Sequence, residues 1–246
     1  MAGFSEIAEN SENIHRHCAL CPRPVLKIDE LLRGSLAVAD YFEMDNGVTE
    51  SEGDVDLGSG GAILLAPMKD ASGNTWDLAA GAGKDGNLYL VNRNSMGKFN
   101  SGSNKIYQEL SGALPGGIWS SPAFSGSKLY FGPVGQPILA FQFKNAKLLT
   151  TPVAKTSNAF AYPGATPSIS SNNGANAIVW AAENTNPAVL HAYNATNLQE
   201  LYNTNQAADS RDHFGAGNKF ITPMIANGKV YVGTTNGVGV FGLLPK

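Results

Sequence analysis

Asp54 and Asp56 are the first residues whose types and spacing suggest chemistry, within the segment Gly53–Gly58. If this segment is extended, both carboxylates emerge on one face, because residues two apart in a strand point to the same side. Paired carboxylates can bind Ca²⁺ or serve as the acid and base of glycoside hydrolysis. Alternatively, each aspartate caps a glycine-rich turn. The lack of a complete DxDxDG calcium loop favours this second interpretation.

The segment Asp209–His213 is the densest cluster of reactive side chains after residue 36, and Asp209 adds a third candidate carboxylate. Arg211 can clamp an anionic substrate, while His213 can relay a proton with Asp212 as its orienting group. The alternative is an Arg–Asp pair that pins a long loop beside a solvated histidine. Three further residues are expected to bind substrate on the same face of the protein as this segment: Lys219, Tyr162 and Trp119.

Two other polar residues are expected to have structural roles. Asp85 belongs to an Asp-Gly turn, and His191 lies in an apolar run where we expect it to be packed. A catalytic role for His191 would need a nearby nucleophile, and the sequence contains no GxSxG elbow.

The segment His15–Cys21 holds four potential zinc ligands within seven residues: His15, His17, Cys18 and Cys21. Cys-x-x-Cys is a zinc-ligand spacing, and the two histidines can complete a tetrahedron. A second, separated half-site is missing from the sequence, so no structural zinc is predicted. Pro22 stands where haem attachment would need a histidine.

The composition narrows the class of protein. The 246 residues are 43% hydrophobic and 15% charged, with a net charge of −3, 28 Gly and 13 Pro. So much apolar surface argues against a disordered chain, and the absence of basic clusters argues against nucleic-acid binding. Because no apolar run approaches about 18 residues, no membrane-spanning helix is expected. High Gly and Pro with few charges predicts many short strands and tight turns.

The chain changes character near residue 36. Residues 1–35 hold both cysteines and many charges, and residues 25–32 can form one amphipathic helix. This leader is expected to be either a cloning-derived addition or a native helical arm, and it lacks the pattern of a secretory signal peptide. Residues 36–246 consist of short β-rich runs between turns such as Asn173-Gly174 and Asn227-Gly228, which predicts an all-β chain.

An internal repeat of about 50 residues runs through this β region. One strand type recurs with spacings of 60, 45 and 56 residues, at Ala62, Pro122, Pro167 and Pro223. A second carries an aromatic residue, with spacings of 50 and 51 residues, at Tyr130, Trp180 and Tyr231. A third, counted from Val91, has spacings of 50, 52 and 48 residues. With short fourth strands, this pattern predicts four blades of a β-propeller, with a β-sandwich as the alternative.

Several motifs within the repeat match a known pattern. Lys84–Gly97 resembles the "DG-x-LYALD…TGK" hairpin of pyrroloquinoline-quinone (PQQ) enzymes, and Asn227–Thr234 resembles their "GKVYVGT" strand. Four further segments resemble secreted bacterial quinoprotein-like propellers: Gly53–Gly61, Tyr162–Ser168, Leu190–Asn197 and Val240–Leu244. The resemblance covers residue 36 to the C-terminus. It implies a secreted or periplasmic location and a ring of seven or eight blades.

The resemblance also raises the question of whether this chain binds PQQ. PQQ enzymes of this type use paired adjacent cysteines, a tryptophan floor, and Glu, Asn and Asp ligands for calcium. This chain has no Cys-Cys pair, although Trp119 or Trp180 can be imagined as a floor. We therefore predict a propeller without PQQ, with calcium at Asp54 and Asp56 as a remaining candidate.

Four blades make half of such a ring. Either the chain closes alone, with Leu36–Met44 supplying a strand to the last blade, or two copies form one eight-bladed ring. Exposed blade faces favour the homodimer. Two functions stay open: a scaffold that binds a partner, small molecule or glycan, and a hydrolase of glycosides that uses the rim carboxylates. The hydrolase requires two carboxylates about 5–10 Å apart in a wet pocket.

Overall fold

The computed structural model describes the backbone of residues 25–30 and 36–243 and the side chains of residues 37–243. Within these residues the chain is nearly all β. Four antiparallel sheets follow one another along the sequence, and each forms one blade of a propeller. The predicted all-β propeller with four repeats is therefore confirmed.

An N-terminal hairpin precedes the blades. Strand β1 (Val25–Glu30) pairs with β2 (Leu36–Phe42), and helix α1 (Gly47–Glu52) follows. The predicted helix over residues 25–32 is therefore wrong for residues 25–30. A six-residue helix is marginal by itself, whereas pairing with β2 satisfies the backbone of a segment that contains Val25 and Ile28.

The predicted boundary at residue 36 stays a prediction, and the β1–β2 hairpin spans it. The potential zinc ligands His15, His17, Cys18 and Cys21 lie outside the described residues.

Blades 1 and 2 contain eleven described strands, β3 to β13. Blade 1 comprises β3 (Ala62–Leu64), β6 (Leu78–Ala82), β7 (Leu88–Asn92) and β8 (Gln108–Leu110), with a small hairpin of β4 (Met68–Lys69) and β5 (Thr75–Trp76). Blade 2 comprises β9 (Ala123–Ser125), β10 (Lys128–Phe131), β11 (Leu139–Lys144), and β12 (Lys147–Leu148) with β13 (Ala154–Lys155), both paired to β11.

Blades 3 and 4 complete the described chain. Blade 3 comprises β14 (Ser168–Asn172), β15 (Ala175–Glu183), β16 (Val189–Asn194) and β17 (Glu200–Asn203). Blade 4 has three described strands, β18 (Met224–Ala226), β19 (Lys229–Gly233) and β20 (Val238–Phe241). The first turns of both blades are Asn-Gly turns in which both residues have positive φ, at Asn173-Gly174 and Asn227-Gly228. This is the backbone that tight hairpins need, and it explains why the sequence signal was reliable.

Alternating residues of each strand face the two neighbouring blades. In blade 2, Leu129 and Phe131 pack towards blade 1, while Tyr130 and Ala140 pack towards blade 3. In blade 4, Val230 and Val232 pack against Leu190 and its neighbours in blade 3. The hydrophobic core is therefore a series of layers between consecutive blades.

The outer face of blade 1 is covered by residues 42–57, called here the N-terminal cover. Phe42, Met44 and Leu57 of the cover are buried against Tyr89 and Val91 of blade 1. The prediction that Leu36–Met44 supplies a strand to the last blade is therefore wrong, because these residues pair with β1 and pack on blade 1. The eight-bladed ring of two copies stays a prediction, and it would require that this cover be displaced.

Candidate functional site

Three aromatic side chains meet where the loops that enter consecutive blades converge. Trp119 precedes β9, Tyr162 precedes β14, and Phe220 precedes β18. The Trp119 and Tyr162 rings lie edge to face with centroids 5.9 Å apart, and the Tyr162 and Phe220 rings do so at 6.3 Å. We call these three residues the aromatic platform. It draws one ring from each of three inter-blade loops.

The platform rings remain accessible to solvent, although apolar rings are normally buried. Tyr162 is 45% exposed and Phe220 is 55% exposed. Phe220 also has φ +62°, a left-handed backbone that costs energy for a bulky residue. Such strain at an exposed aromatic residue is a feature of ligand-binding loops, where the surrounding structure maintains an unfavoured conformation.

Lys219 adds a positive charge to the platform. Its Nζ lies 5.0 Å from the centroid of the Tyr162 ring, within the range of a cation–π interaction. Both the ammonium and the neighbouring rings are open to solvent, so the site presents flat apolar surface beside one cation. The structure thus brings together Trp119, Tyr162 and Lys219, three residues that the sequence placed on one rim.

The sequence prediction missed Phe220, although a signal for it exists. Phe220 stands three residues before Pro223, and Trp119 stands three residues before Pro122 at the equivalent place in blade 2. Comparing the repeats at this offset would have identified a second aromatic position.

Asp54 and Asp56 converge on a lysine. Lys84 Nζ lies 2.6 Å from Asp54 Oδ1 and 2.8 Å from Asp56 Oδ1. The expected extended segment is wrong at Asp54, whose φ of +54° turns the chain. The hydrogen bond to Asp54 raises the pKa of Lys84 most, and the hydrogen bond to Asp56 raises it further. The ammonium therefore occupies the position that a calcium ion would take between these carboxylates.

The segment Asp209–His213 forms a local ion pair. Arg211 donates to Asp212 from Nε at 2.7 Å and from a terminal nitrogen at 3.0 Å, and the Tyr202 hydroxyl donates to the same carboxylate. The Arg211 and Tyr202 hydrogen bonds lower the pKa of Asp212 to about 2. Among the described residues, no hydrogen bond joins Asp212 to the exposed ring of His213. Asp209 lies in a short 3₁₀ turn, Ala208–Ser210.

His191 is buried between two glutamates. Its Nε2 lies 3.0 Å from Glu183 Oε1 and its Nδ1 lies 2.6 Å from Glu200 Oε1, while its ring stacks on Tyr193. Burial lowers the pKa of His191, but the bonds and charges of the two carboxylates outweigh it and leave this pKa raised. The expectation that His191 is packed agrees with this geometry, although the two carboxylates were not predicted.

Glu50 is a second buried ionisable group, on helix α1 of the N-terminal cover. Asn46 donates to its Oε1 at 2.8 Å, whereas its Oε2 is buried without a hydrogen-bond partner. Burial, and then the charge of Asp85, raises the pKa of Glu50 to about 7. Asp85 itself accepts hydrogen bonds from the Tyr89 hydroxyl at 2.5 Å and from the backbone N–H of Asn87. Both bonds are consistent with a structural role.

Among the described residues, the carboxylates are not arranged to hold the calcium of a bound PQQ. Its calcium needs several convergent oxygen ligands. Across the described ranges, no group of three or more His, Cys, Asp or Glu side chains is arranged to hold a metal ion. Asp54 and Asp56 share the ammonium of Lys84, and the Trp119 ring contacts Tyr162 edge to face.

Comparison with known proteins does not assign the chain to a family. No protein-family profile and no curated protein matches it. Solved structures similar to it include BamB from Moraxella catarrhalis (TM-score 0.44, 12% identity, 90% of this chain and 59% of BamB), and Sqt1 from Saccharomyces cerevisiae (TM-score 0.43, 18% identity, 75% of this chain and 46% of Sqt1). The computationally designed protein Ika8 is similar over 68% of this chain and 43% of its own, at TM-score 0.45 and 10% identity.

The chain thus spans about half the length of these three proteins. The resemblance to quinoprotein repeats stays a prediction. Among the described residues, no helix is long and apolar enough to cross a membrane.

Proposed function

We propose that this propeller is a binding scaffold whose inter-blade loops hold a ligand on the aromatic platform, without PQQ. The observation that carries the proposal is the convergence of Trp119, Tyr162 and Phe220 from three loops, with Phe220 exposed in a strained backbone. Aromatic faces bind flat apolar surfaces such as the C–H faces of sugar rings. A glycan or a similarly shaped small molecule is therefore the ligand class that we favour.

The hydrolase has less support. A general acid for glycoside cleavage needs a raised pKa and access to water. The pKa of Asp212 is lowered to about 2, and Asp54 and Asp56 share a lysine. Glu50 has a raised pKa but is buried within the N-terminal cover. None of these carboxyl groups combines the two properties.

Substitution of platform residues tests the binding proposal. An array of neutral and acidic oligosaccharides is screened with the full chain, and a retained oligosaccharide is then titrated by calorimetry. Trp119→Ala and Phe220→Ala should each weaken binding about five- to tenfold, because one aromatic contact contributes about 1 kcal/mol beyond its buried area. Lys219→Gln should weaken binding of acidic oligosaccharides more than binding of neutral ones.

Phe99→Ala provides the matched control. Phe99 is 43% exposed but lies outside the platform, so its loss should leave binding unchanged. Retention of no oligosaccharide, or equal weakening by Phe99→Ala and Phe220→Ala, would refute the glycan proposal.

A further inference from the structure

The outer face of blade 4 is an apolar sheet surface that none of the described residues covers. Met224, Tyr231 and Val240 are cross-strand neighbours in one row, and Val238 lies on the same side opposite Gly233. Met224 is 57% exposed, Val240 52% and Val238 63%. Their neighbours Val230 and Val232 point the other way and are buried against blade 3. We call Met224, Tyr231, Val238 and Val240 the open face.

The equivalent rows of the preceding blades pack against a following blade. In blade 2 the row is Ala123–Tyr130–Ala140, and in blade 3 it is Ser168–Trp180–Ala192. Tyr130 is only 1% exposed, and its hydroxyl donates to the carbonyl oxygen of Ala195 in blade 3 at 2.6 Å. The position of Tyr231 is therefore one that this fold covers with another sheet.

The open face differs from those rows in residue size. Small residues flank the aromatic ring in blades 2 and 3, whereas Met224 and Val240 flank Tyr231 in blade 4. Larger flanking side chains fill the space that a closely packed following blade would need. This favours a different sheet partner that interdigitates with the methionine and valine side chains.

The charges at this surface favour a neutral, self-complementary contact. Strand alternation places only one charged residue, Lys229, on this side of β19, at the end of the face opposite Val238. Two such faces can therefore meet without burying a carboxylate or opposing like charges at their centre. A strongly charged partner would find no countercharge at the centre of the face, and only Lys229 at its edge.

The other end of the chain supplies no complementary face. The surface of blade 1 that would receive blade 4 of a second copy is occupied by Phe42, Met44 and Leu57 of the N-terminal cover. A blade 4 to blade 1 contact would first have to expose these buried residues. A two-fold contact between identical open faces needs no such displacement, because both surfaces are already accessible.

We propose that two copies of this chain associate through their open faces, blade 4 against blade 4. Three strands of three to five residues, about 4.8 Å apart, form a face of at most roughly 15 by 15 Å, which is small for a stable dimer. The association is therefore weak and concentration-dependent, with a dissociation constant in the micromolar range or above.

Sedimentation equilibrium of the full chain tests this. The mass should rise from the monomer value of 25.8 kDa towards twice that value between about 1 and 200 μM. Val240→Glu should weaken association about tenfold or more, since it places a charge in the contact. Leu64→Glu, at a 68% exposed leucine of blade 1, should leave it unchanged. A monomer at every concentration, or equal weakening by Leu64→Glu, overturns the proposal.

Val240→Glu could lose association because it fails to fold, so disulfide cross-linking provides a second test of the contact. In a background with Cys18→Ser and Cys21→Ser, Val238→Cys should give a covalent dimer on mild oxidation, whereas Leu64→Cys should not. A covalent dimer of Leu64→Cys would overturn the proposal. One that forms only when Val238→Cys and Leu64→Cys proteins are mixed would support the ring of two copies instead, because blade 4 then faces blade 1 of the partner. A failure here leaves the aromatic platform untouched, because ligand binding is measured separately.

Discussion

His191→Leu is expected to destabilise the protein by about 3 to 5 kcal/mol, the cost of breaking a buried ion pair by removing one partner. The side chain of His191 is only 7% exposed and is held between Glu183 and Glu200. Leucine is similar in size but cannot donate a hydrogen bond, so both carboxylates lose their shared cation. The loss should appear as a lower midpoint in urea unfolding.

The pH dependence gives this prediction its sign. The raised pKa of His191 means that its contribution to stability is fully present below the ordinary histidine pKa of 6.5 and is lost as pH rises through the folded value. The hydrogen bond from His191 lowers the pKa of Glu183, so that contribution is present above the ordinary value of 4.5 and is lost as pH falls. The deficit of His191→Leu should therefore be largest between these two values.

His213→Leu is the matched control. His213 is exposed and lies in a loop, so the same substitution there should change the free energy of unfolding by no more than about 0.5 kcal/mol. If the two variants unfold alike, or if the deficit of His191→Leu does not vary with pH, the ion pair does not stabilise the fold as argued.

Glu50→Gln is expected to stabilise the protein above neutral pH by about 1 to 3 kcal/mol, because it removes a buried charge whose pKa shift is worth about 1.4 kcal/mol per unit. Burial and the charge of Asp85 raise the pKa of Glu50 to about 7. The folded protein therefore binds this proton more tightly than the unfolded chain, and stability falls as pH rises from about 4.5 to 7. Glutamine keeps the shape without acquiring the charge.

Urea unfolding at several pH values measures this effect. Wild type and Glu50→Gln should be nearly equal in stability at about pH 4.5 and should diverge towards about pH 8.5. Glu52→Gln, at an exposed position of the same helix, should follow the wild-type curve. A parallel pair of curves for wild type and Glu50→Gln would contradict the assignment of the buried charge to Glu50.

Local patterns predicted the blades well because short-range chemistry decides them. Asn173-Gly174 and Asn227-Gly228 accept positive φ at both residues, so each turn specifies its hairpin with little help from the rest of the fold. The alternation around Tyr130 likewise follows from the two faces of a strand. These features depend on residues close together in sequence.

Contacts between distant segments could not be predicted in this way. Lys84 lies 30 residues from Asp54, and no pattern in either segment indicates that the two meet. Helix α1 is too short to produce a periodic signal, and its position depends on burial against blade 1. Trp119 and Tyr162 meet for a physical reason, because the loops that enter successive blades are repeat-equivalent and emerge at one face.

The N-terminal cover also has a consequence for how the molecule holds together. Blades 1, 2 and 3 each have packing on both sides, whereas blade 4 has blade 3 on one side and the open face on the other. In an array whose units contact only their neighbours, a unit with one neighbour opens more readily than a unit with two. Local opening is therefore graded along the chain, and fraying begins at blade 4 while the covered end stays closed.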